Sequence, residues 1–218
     1  MHLDRTGKAI ISSVVLTLLL CSFFSFPSNN QKDAPTQDRY EFKDGKMNKP
    51  FVLNTGWNLI SIPFILDNNS VKKVFESINK THYVVEYYDA YNTSDRWRSY
   101  SQDKPDSLND LYSVDNTMGV WLYLKNATNA TLVITGSIPD TTFINLRTGW
   151  NLIGYPSIKN RTVSQVFQNL TDLSYEVQCF DKGSPYSLRN MGQNEVFHMG
   201  LGYWVYVSVD CVLRIDWR

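Results

Sequence analysis

The chain of 218 residues lacks the short motifs that mark common enzyme classes. It has no His-Glu-x-x-His, no Gly-x-Ser-x-Gly turn, no phosphate-binding glycine loop and no Cys-x-x-Cys pair. The three histidines, His2, His82 and His198, do not have metal-ligand spacing. We therefore predict no catalytic residue, no metal site and no cofactor.

An excess of charge of one sign is also missing. Lys and Arg total 21, Asp and Glu total 21, and the formal net charge is zero. Neither half of the sequence carries the basic stripe that binding to a phosphate backbone requires. Nucleic acid is therefore excluded from the expected partners.

Cysteine is scarce, with three residues. Cys179 and Cys211 are candidates for one disulfide in an oxidising compartment. Cys21 lies in a hydrophobic segment, where Leu-Leu-Leu-Cys loosely matches a bacterial lipid-attachment site. The bulky Leu20 directly before Cys21 argues against that alternative.

One long hydrophobic run is present, at residues 9–26, where eighteen consecutive positions carry no charge. Its length lies at the lower limit for a membrane-spanning helix and exceeds the usual core of a signal peptide. Phenylalanines within residues 23–26 occupy the places where a cleavage site needs small residues. We expect an uncleaved transmembrane anchor, and a cleaved signal peptide is the alternative.

The flanks of this run predict its orientation. Arg5 and Lys8 favour a cytoplasmic N-terminus at residues 1–8, with residues 27–218 outside the cell. Residues 27–50 are polar and poor in apolar side chains, as is typical of a flexible stalk. The sequence therefore predicts a single-pass protein of the cell membrane.

The rest of the chain repeats itself. Residues 53–63 read Leu-Asn-Thr-Gly-Trp-Asn-Leu-Ile-Ser-Ile-Pro, and residues 146–156 read Leu-Arg-Thr-Gly-Trp-Asn-Leu-Ile-Gly-Tyr-Pro. Later, Gly-Val-Trp-Leu-Tyr-Leu at 119–124 recurs as Gly-Tyr-Trp-Val-Tyr-Val at 202–207. Shared blocks separated by insertions indicate two copies of one folded unit. The predicted modules span residues 51–136 and 143–218.

The repeat also predicts the fold class. Short apolar runs bounded by glycine and proline favour several antiparallel strands in each module. One apolar stripe with helical spacing follows in each copy, and the second copy adds a capping box, Thr162 with Gln165. We expect a mostly β, α+β fold with one short helix per module. The stripes are Val71, Val74, Phe75 and Ile78, and Val163, Val166, Phe167 and Leu170.

The Gly-Trp-Asn-Leu-Ile-Ser-x-Pro block and the later Gly-x-Trp-x-Tyr strand together resemble a module found, often in tandem, in secreted and surface-attached proteins of archaea and bacteria. The resemblance covers most of residues 51–218. It implies an extracellular β-rich module of largely unknown activity and supplies no catalytic residues.

The repeated tryptophans have two interpretations. Aromatic faces stack on sugar rings, but each of these residues lies within an apolar run at an equivalent place in both copies, which is typical of a core. We expect them to be buried together with Phe75 and Phe167. The tryptophans are Trp57, Trp121, Trp150 and Trp204.

Aromatic residues present in one copy only are better candidates for a ligand-binding surface. Packing between the two modules is the competing explanation for this cluster. The candidates are Tyr87, Tyr88, Tyr91, Trp97 and Tyr100.

Acidic residues concentrate in the insertion that lengthens the first module. Carboxylates there suit calcium, but their spacing does not follow that of a calcium loop, so we expect a solvated loop. They are Asp103, Asp106, Asp110 and Asp115, and, in a second group, Asp89, Asn92 and Asp95.

Seven Asn-x-Ser/Thr triplets all lie after residue 50, which agrees with an extracellular location and with glycosylation. A surface rich in Asn and Thr also produces such triplets by chance. They begin at Asn68, Asn79, Asn92, Asn126, Asn129, Asn160 and Asn169.

These observations favour a non-enzymatic, membrane-anchored surface protein with a structural or adhesive role in the cell envelope. Other envelope proteins or surface glycans are the expected partners. A carbohydrate-binding protein is the alternative, and an envelope hydrolase is the least favoured hypothesis.

Overall fold

The structure, a computed structural model, describes residues 41–125, 130–181 and 188–218. Strands dominate these residues, and every strand pair is antiparallel. The expected mostly β, antiparallel class is therefore confirmed. We refer to residues 41–136 as the first half and to residues 141–218 as the second half.

The first half contains seven strands and one α-helix within its described residues. In chain order they are β1 Glu41–Lys43, β2 Lys46–Leu53, β3 Gly56–Ser61, α1 Val71–Val74, a 3₁₀ turn at Glu76–Ile78, β4 His82–Tyr88, β5 Trp97–Ser101, a 3₁₀ turn at Asp106–Leu108, β6 Gly119–Lys125 and β7 Ala130–Gly136.

The second half begins with β8, and its elements follow in a closely similar order. They are β8 Thr141–Leu146, β9 Gly149–Ile153, β10 Arg161–Thr162, α2 Val163–Val166, β11 Tyr175–Phe180, β12 Leu188–Asn190, β13 Val196–Phe197, β14 Tyr203–Val207 and β15 Cys211–Asp216.

Each half contains one four-stranded sheet and one narrower sheet formed by its first and last long strands. The four-stranded sheets have the orders β3-β6-β4-β5 and β12-β11-β14-β9. The narrow sheets are β1-β2-β7 and β15-β8, and β10 pairs with β13. The repeated Gly-Trp-Asn strand is thus an edge strand of its sheet in both halves, as β3 and as β9.

Both helices are short, at four residues each, and their apolar stripes pack into the cores. α1 runs directly into a 3₁₀ turn, and all four residues of its predicted stripe are buried. In the second half Val163, Val166 and Phe167 are buried, whereas Leu170 is half-buried beyond the end of α2. The predicted capping box is confirmed, since Thr162 and Gln165 bond each other's backbone N–H.

The core forms on one side of each four-stranded sheet because side chains alternate along a strand. On β6, Val120, Leu122 and Leu124 point inward and are fully buried. The phenylalanine directly after each helix, Phe75 or Phe167, packs in the core on this inner face and is itself buried. The inner faces therefore leave the alternate residues of the same strands on an outer face.

A buried asparagine holds the corner before each edge strand. Asn58 accepts the backbone N–H of Asn54 at 2.9 Å and donates to its carbonyl at 2.8 Å. Asn151 does the same with Arg147, at 2.8 and 2.7 Å. The glycine between them has a left-handed φ in each case, +82° at Gly56 and +98° in the second half, which explains the Thr-Gly-Trp-Asn spacing.

The two four-stranded sheets meet at the ends of their edge strands through matched contacts. Ile60 at the end of β3 bridges Leu201. Ile153 at the end of β9 bridges Met118 in the same antiparallel manner. Beside these bridges, the backbone N–H of Ser61 donates to the Gly200 carbonyl at 2.9 Å.

Glycines permit this close approach. A Cβ added to Gly119 would lie 2.5 Å from the carbonyl oxygen of Ile153, and one added to Gly202 would lie 2.8 Å from that of Ile60. Each added Cβ would also lie within 3.3 Å of the other glycine's Cα. The strands β6 and β14 therefore cross at the glycine that begins each Gly-x-Trp-x-Tyr block.

The predicted boundary between stalk and first module at residue 51 differs from the structure. Residues 41–50, expected in the flexible stalk, instead form β1 and the start of β2. β1 pairs with β2, and β2 pairs with β7 from Met47 onward. Met47 is buried in the core of the first half, and this one apolar anchor with its backbone ladder orders an otherwise polar stretch. β8 likewise begins at Thr141, ahead of the expected boundary at Phe143.

The predicted anchor, residues 9–26, lies outside the described residues, as does the predicted cytoplasmic segment 1–8. Within the described ranges, no helix combines the length and the hydrophobicity that crossing a membrane requires.

Candidate ligand-binding aromatic face

The repeated tryptophans lie on the outer faces of the four-stranded sheets, so the expectation that they are core residues is wrong. Trp57, Trp121, Trp150 and Trp204 are half-buried, whereas Phe75 and Phe167 are buried as expected. The physical reason is the period of two along a strand, since Val120 and Leu122 on either side of Trp121 occupy the core. In such a strand, only every second side chain of an apolar run faces the core.

Other aromatic side chains share these outer faces, and we call the set the aromatic face. Within the first half, the Trp57 ring lies 6.0 Å from that of Trp121 and 5.1 Å from that of Tyr123. Within the second half, corresponding contacts join Trp150 to Trp204 and Tyr206 at 6.4 and 5.6 Å. The aromatic face comprises Trp57, Tyr88, Trp97, Trp121, Tyr123, Trp150, Phe180, Trp204 and Tyr206.

Two aromatic contacts tie the halves together. Tyr88 at the end of β4 packs edge-on against Trp204 of the second half, with ring centroids 4.9 Å apart. Phe180 at the end of β11 packs in the same way against Trp121 of the first half, at 5.1 Å. The register places Tyr88 and Phe180 at matching positions, two residues beyond the partner of the tryptophan on the central strand.

Trp97 extends the aromatic face in the first half alone. It pairs with Tyr88 across β4 and β5, with ring centroids 5.4 Å apart, and also lies 6.1 Å from Trp204. Its side chain nevertheless remains 45% exposed. The competing explanation for the unique aromatics, packing between the halves, thus applies to Tyr88, whereas Trp97 combines packing with an accessible ring.

The five predicted ligand-binding residues separate into three groups. Tyr88 and Trp97 lie on the aromatic face. Tyr100 is 7% exposed on the inner side of β5 and stacks on Tyr83, so its assignment to a binding surface is wrong. The strand register is the reason, because Tyr100 lies opposite the core residue Val85.

Tyr87 and Tyr91 belong to a groove beside the aromatic face. This groove has a volume of about 170 Å³ and lies between the end of β4 in the first half and β8 with β9 in the second. Tyr88 lines it as well, and Tyr91 at its rim is 49% exposed. The guanidinium of Arg147 lies 4.4 Å from the centre of the Tyr91 ring.

Burial and neighbouring charges shift the pKa values of two groups at the site. Burial raises the pKa of Tyr87, and the neighbouring Asp89 adds to the effect, so its hydroxyl remains protonated. Burial also raises the pKa of Glu86, which lies between Trp121 and Ser99 on the aromatic face. The site therefore combines exposed rings, neutral hydroxyls and one half-buried carboxylate.

The acidic residues of the first half form hydrogen bonds and ion pairs with neighbouring groups. Asp103 contacts His82 at 2.5 Å, Asp106 pairs with Lys72 at 2.7 Å, and Asp110 accepts the backbone N–H of Ser99 at 2.6 Å. Asp115 accepts from both the backbone N–H and the hydroxyl of Thr117, and Asp89 and Asn92 accept backbone N–H groups two residues on. Within the described part of the chain, no group of three or more His, Cys, Asp or Glu side chains converges on a metal position.

The candidate disulfide is not formed. Cys179 on β11 and Cys211 on β15 are both free thiols, because they lie on strands of different sheets. Burial raises the pKa of each thiol, so neither is poised as a thiolate nucleophile.

The described acceptor asparagines lie at the surface or partly buried. Asn68, Asn79, Asn160 and Asn169 are exposed, whereas Asn92 is half-buried and caps its own turn. Asn126 and Asn129 lie outside the described residues. Four acceptor side chains are therefore sterically open to a glycan.

Comparison with protein families, with curated proteins and with solved structures finds no match for this chain.

Proposed function

We propose that this chain is a non-enzymatic, membrane-anchored surface protein that binds glycans through the aromatic face of two homologous β-rich modules. One observation carries the proposal: the repeated tryptophans, together with Tyr88 and Trp97, are half-buried or exposed on the outer faces instead of filling the core.

Aromatic rings on a sheet suit a sugar ligand for physical reasons. A pyranose ring has apolar C–H faces that stack on an aromatic ring, and a ring already packed at its edge by neighbours loses little conformational entropy on binding. Trp57 and Trp97 lie near the two ends of the sheet β3-β6-β4-β5, on its outer strands. Half-buried Glu86 between them, on the central strand β4, supplies acceptors for sugar hydroxyls.

The matched contacts support two homologous modules. Asn58 and Asn151 make the same corner bonds, and each module's edge strand bridges the residue before the other's crossing glycine. Independent elements brought together by chance would not reproduce side-chain roles at equivalent sequence positions. Duplication of one unit explains both the sequence repeat and the pairing of the halves.

The surface location is inferred from the sequence and from the open acceptor asparagines. The anchor assignment for residues 9–26 is testable by washing membranes with carbonate and sequencing the mature N-terminus. We expect the full-length protein to stay in the membrane fraction with residues 1–26 intact. A mature N-terminus between residues 22 and 32 would show a cleaved signal peptide instead.

A glycan array probed with the purified full-length protein tests the binding role. We expect binding that Trp97→Ala and Trp57→Ala each weaken at least tenfold, with circular dichroism spectra like that of the wild type. Tyr112→Ala is the control, because Tyr112 is 72% exposed but lies in a loop outside the strands. An array without binding, or equal loss in the control, contradicts the glycan-binding role.

A structural or adhesive role through protein contacts is the second candidate. It is favoured by apolar side chains exposed on the narrow sheets, with Phe42 at 63%, Val52 at 61% and Phe143 at 61% exposure. Exposed apolar patches of this kind mark interaction surfaces. In that case, in-cell cross-linking from these positions succeeds while the glycan array remains blank.

A further inference from the structure

The groove beside the aromatic face lies at one of two junctions that the sequence repeat makes equivalent. Its floor includes Ile144 of β8, and one wall includes Thr117. In the repeat, these positions correspond to Phe51 and Gly200. The two junctions are therefore built from the same backbone but from side chains of different size.

On the opposite side, the larger side chain occupies the corresponding space. The Phe51 ring lies against Gly200 so closely that a Cβ there would fall 2.2 Å from a ring carbon. Ile144 is smaller than phenylalanine, and on that side a cavity of about 170 Å³ remains. The chain thus fills one junction with a phenyl ring and leaves space at the other.

The lining of the groove favours an uncharged ligand. No Asp, Glu, Lys, Arg or His lines it. The Arg147 guanidinium, which lies over the Tyr91 ring at the rim, already pairs with Asp210 at 2.6 Å, so desolvating an ionised ligand in the groove would not be offset by a free opposite charge. The residues that line it include Tyr87 and Tyr91, with phenolic hydroxyls, and Asn145, with a side-chain amide. These groups both donate and accept, as sugar hydroxyls do.

The size and position of the groove limit the ligand further. A volume of about 170 Å³ is smaller than the roughly 300 Å³ at which sites for drug-sized ligands begin. The groove therefore has room for a single ring and not for an oligosaccharide. Tyr88 lines the groove and also belongs to the aromatic face, so a chain lying on that face can place one unit in the groove.

We propose that the groove binds one uncharged sugar unit of the glycan held on the aromatic face, with Tyr91 and Asn145 as its hydrogen-bonding residues. This inference rests on the proposed glycan-binding function. Beyond that function, it specifies that the groove prefers neutral to acidic sugars and that each chain binds one sugar unit there.

The test uses the full-length protein and saturation-transfer NMR with methyl glycosides of glucose, galactose and mannose, and with glucuronic acid. We expect at least one neutral glycoside to bind, and glucuronic acid to bind at least tenfold more weakly. Tyr91→Phe, which removes only a hydroxyl, and Asn145→Ala should each weaken binding of the neutral sugar about tenfold. Val52→Ala is the matched control, because Val52 holds the position of Asn145 at the filled junction.

The outcomes separate this inference from the function on which it rests. In one outcome, array glycans require Trp57 and Trp97 yet bind Tyr91→Phe and Asn145→Ala as tightly as the wild type. That result overturns the proposed role of the groove and leaves the proposed role of the aromatic face in place. Equal binding of glucuronic acid overturns the neutral preference. Absence of binding to any glycan, on the array and by NMR, overturns both proposals.

Discussion

Replacing either crossing glycine by alanine tests the junction between the halves most directly. Without a clash, Gly→Ala in a strand stabilises a protein by about 0.4–1 kcal/mol, because it restricts the unfolded chain. At Gly119 and Gly202 the added Cβ would instead meet backbone carbonyl oxygens at 2.5 and 2.8 Å. Backbone atoms held in two sheets cannot move away at low cost, so the clash outweighs the stabilising effect and the substitution destabilises the protein.

We expect each substitution to destabilise the protein by about 1–3 kcal/mol, the usual range for an overpacked interior. At roughly 2–4 °C per kcal/mol for a chain of this size, the melting temperature should fall by about 2–12 °C. The measurement is thermal unfolding followed by circular dichroism. Gly192→Ala is the control, because its Cβ would have its nearest contact at 3.8 Å, on Glu195. If Gly119→Ala and Gly202→Ala melt like that control, the strands do not cross as closely as described.

Four further substitutions test the buried asparagine before β3, the response to acid and the core. Asn58→Ala should lower the free energy of unfolding, measured by urea denaturation, by about 1–3 kcal/mol, because it leaves the backbone groups of Asn54 without their partner. A smaller loss would mean that water takes the place of the Asn58 amide. The Thr148 backbone N–H, followed by other hydrogen bonds, lowers the pKa of Asp210 to about 2, so its stabilising effect is complete above the unfolded value near 4 and is lost as the pH falls towards 2. Asp210→Asn should therefore melt below wild type at pH 7 and level with it at pH 2, and a gap that persists at pH 2 contradicts this origin. Phe75→Ala should lower the free energy of unfolding by about 3–5 kcal/mol. Trp57→Ala should lower it less, because Trp57 is half-buried whereas Phe75 is fully buried. The reverse order would show that Trp57 is a core residue.

Local patterns predicted the elements that local physics determines. The stripe from Val71 to Ile78 has helical spacing, and Thr162 with Gln165 satisfies the first turn of α2, so both helices could be placed from sequence. Glycine and proline bounded the strands well enough to locate them. Read twice through the repeat, these signals were mutually consistent.

The sequence also contains a signal for the outer position of the tryptophans, although the continuous apolar run around them favours a core position. In Gly-x-Trp-x-Tyr the aromatic residues are two apart, and two is the period of one strand face. Val120 and Leu122 between and beside them supply the other face. A strand with apolar residues on both faces is typical of a sheet with a second contact, which here is the aromatic contact between the halves.

The groove could not be predicted, because its walls come from distant parts of the chain. Tyr91 and Asn145 lie on opposite sides of a gap that only the crossing of the two halves creates. Tyr100 and Trp97 were equivalent candidates in sequence, and the register of β5 against β4 sends one inward and the other outward. Register depends on partners far along the chain, which a local pattern does not contain.

The distribution of repeated and unique residues argues for an asymmetric function on a symmetric scaffold. Asn58 and Asn151, at repeated positions of the sequence, make the same backbone hydrogen bonds. Tyr91 and Asn145, in contrast, have no equivalent of the same type in the other half, and they meet at one junction only. A scaffold selected for symmetric binding would keep the same side chains at both junctions, whereas Phe51 fills the second one. Titration calorimetry with the tightest neutral glycan should therefore give one site per chain, and two equivalent sites would show that the repeated tryptophans, and not the groove, determine recognition.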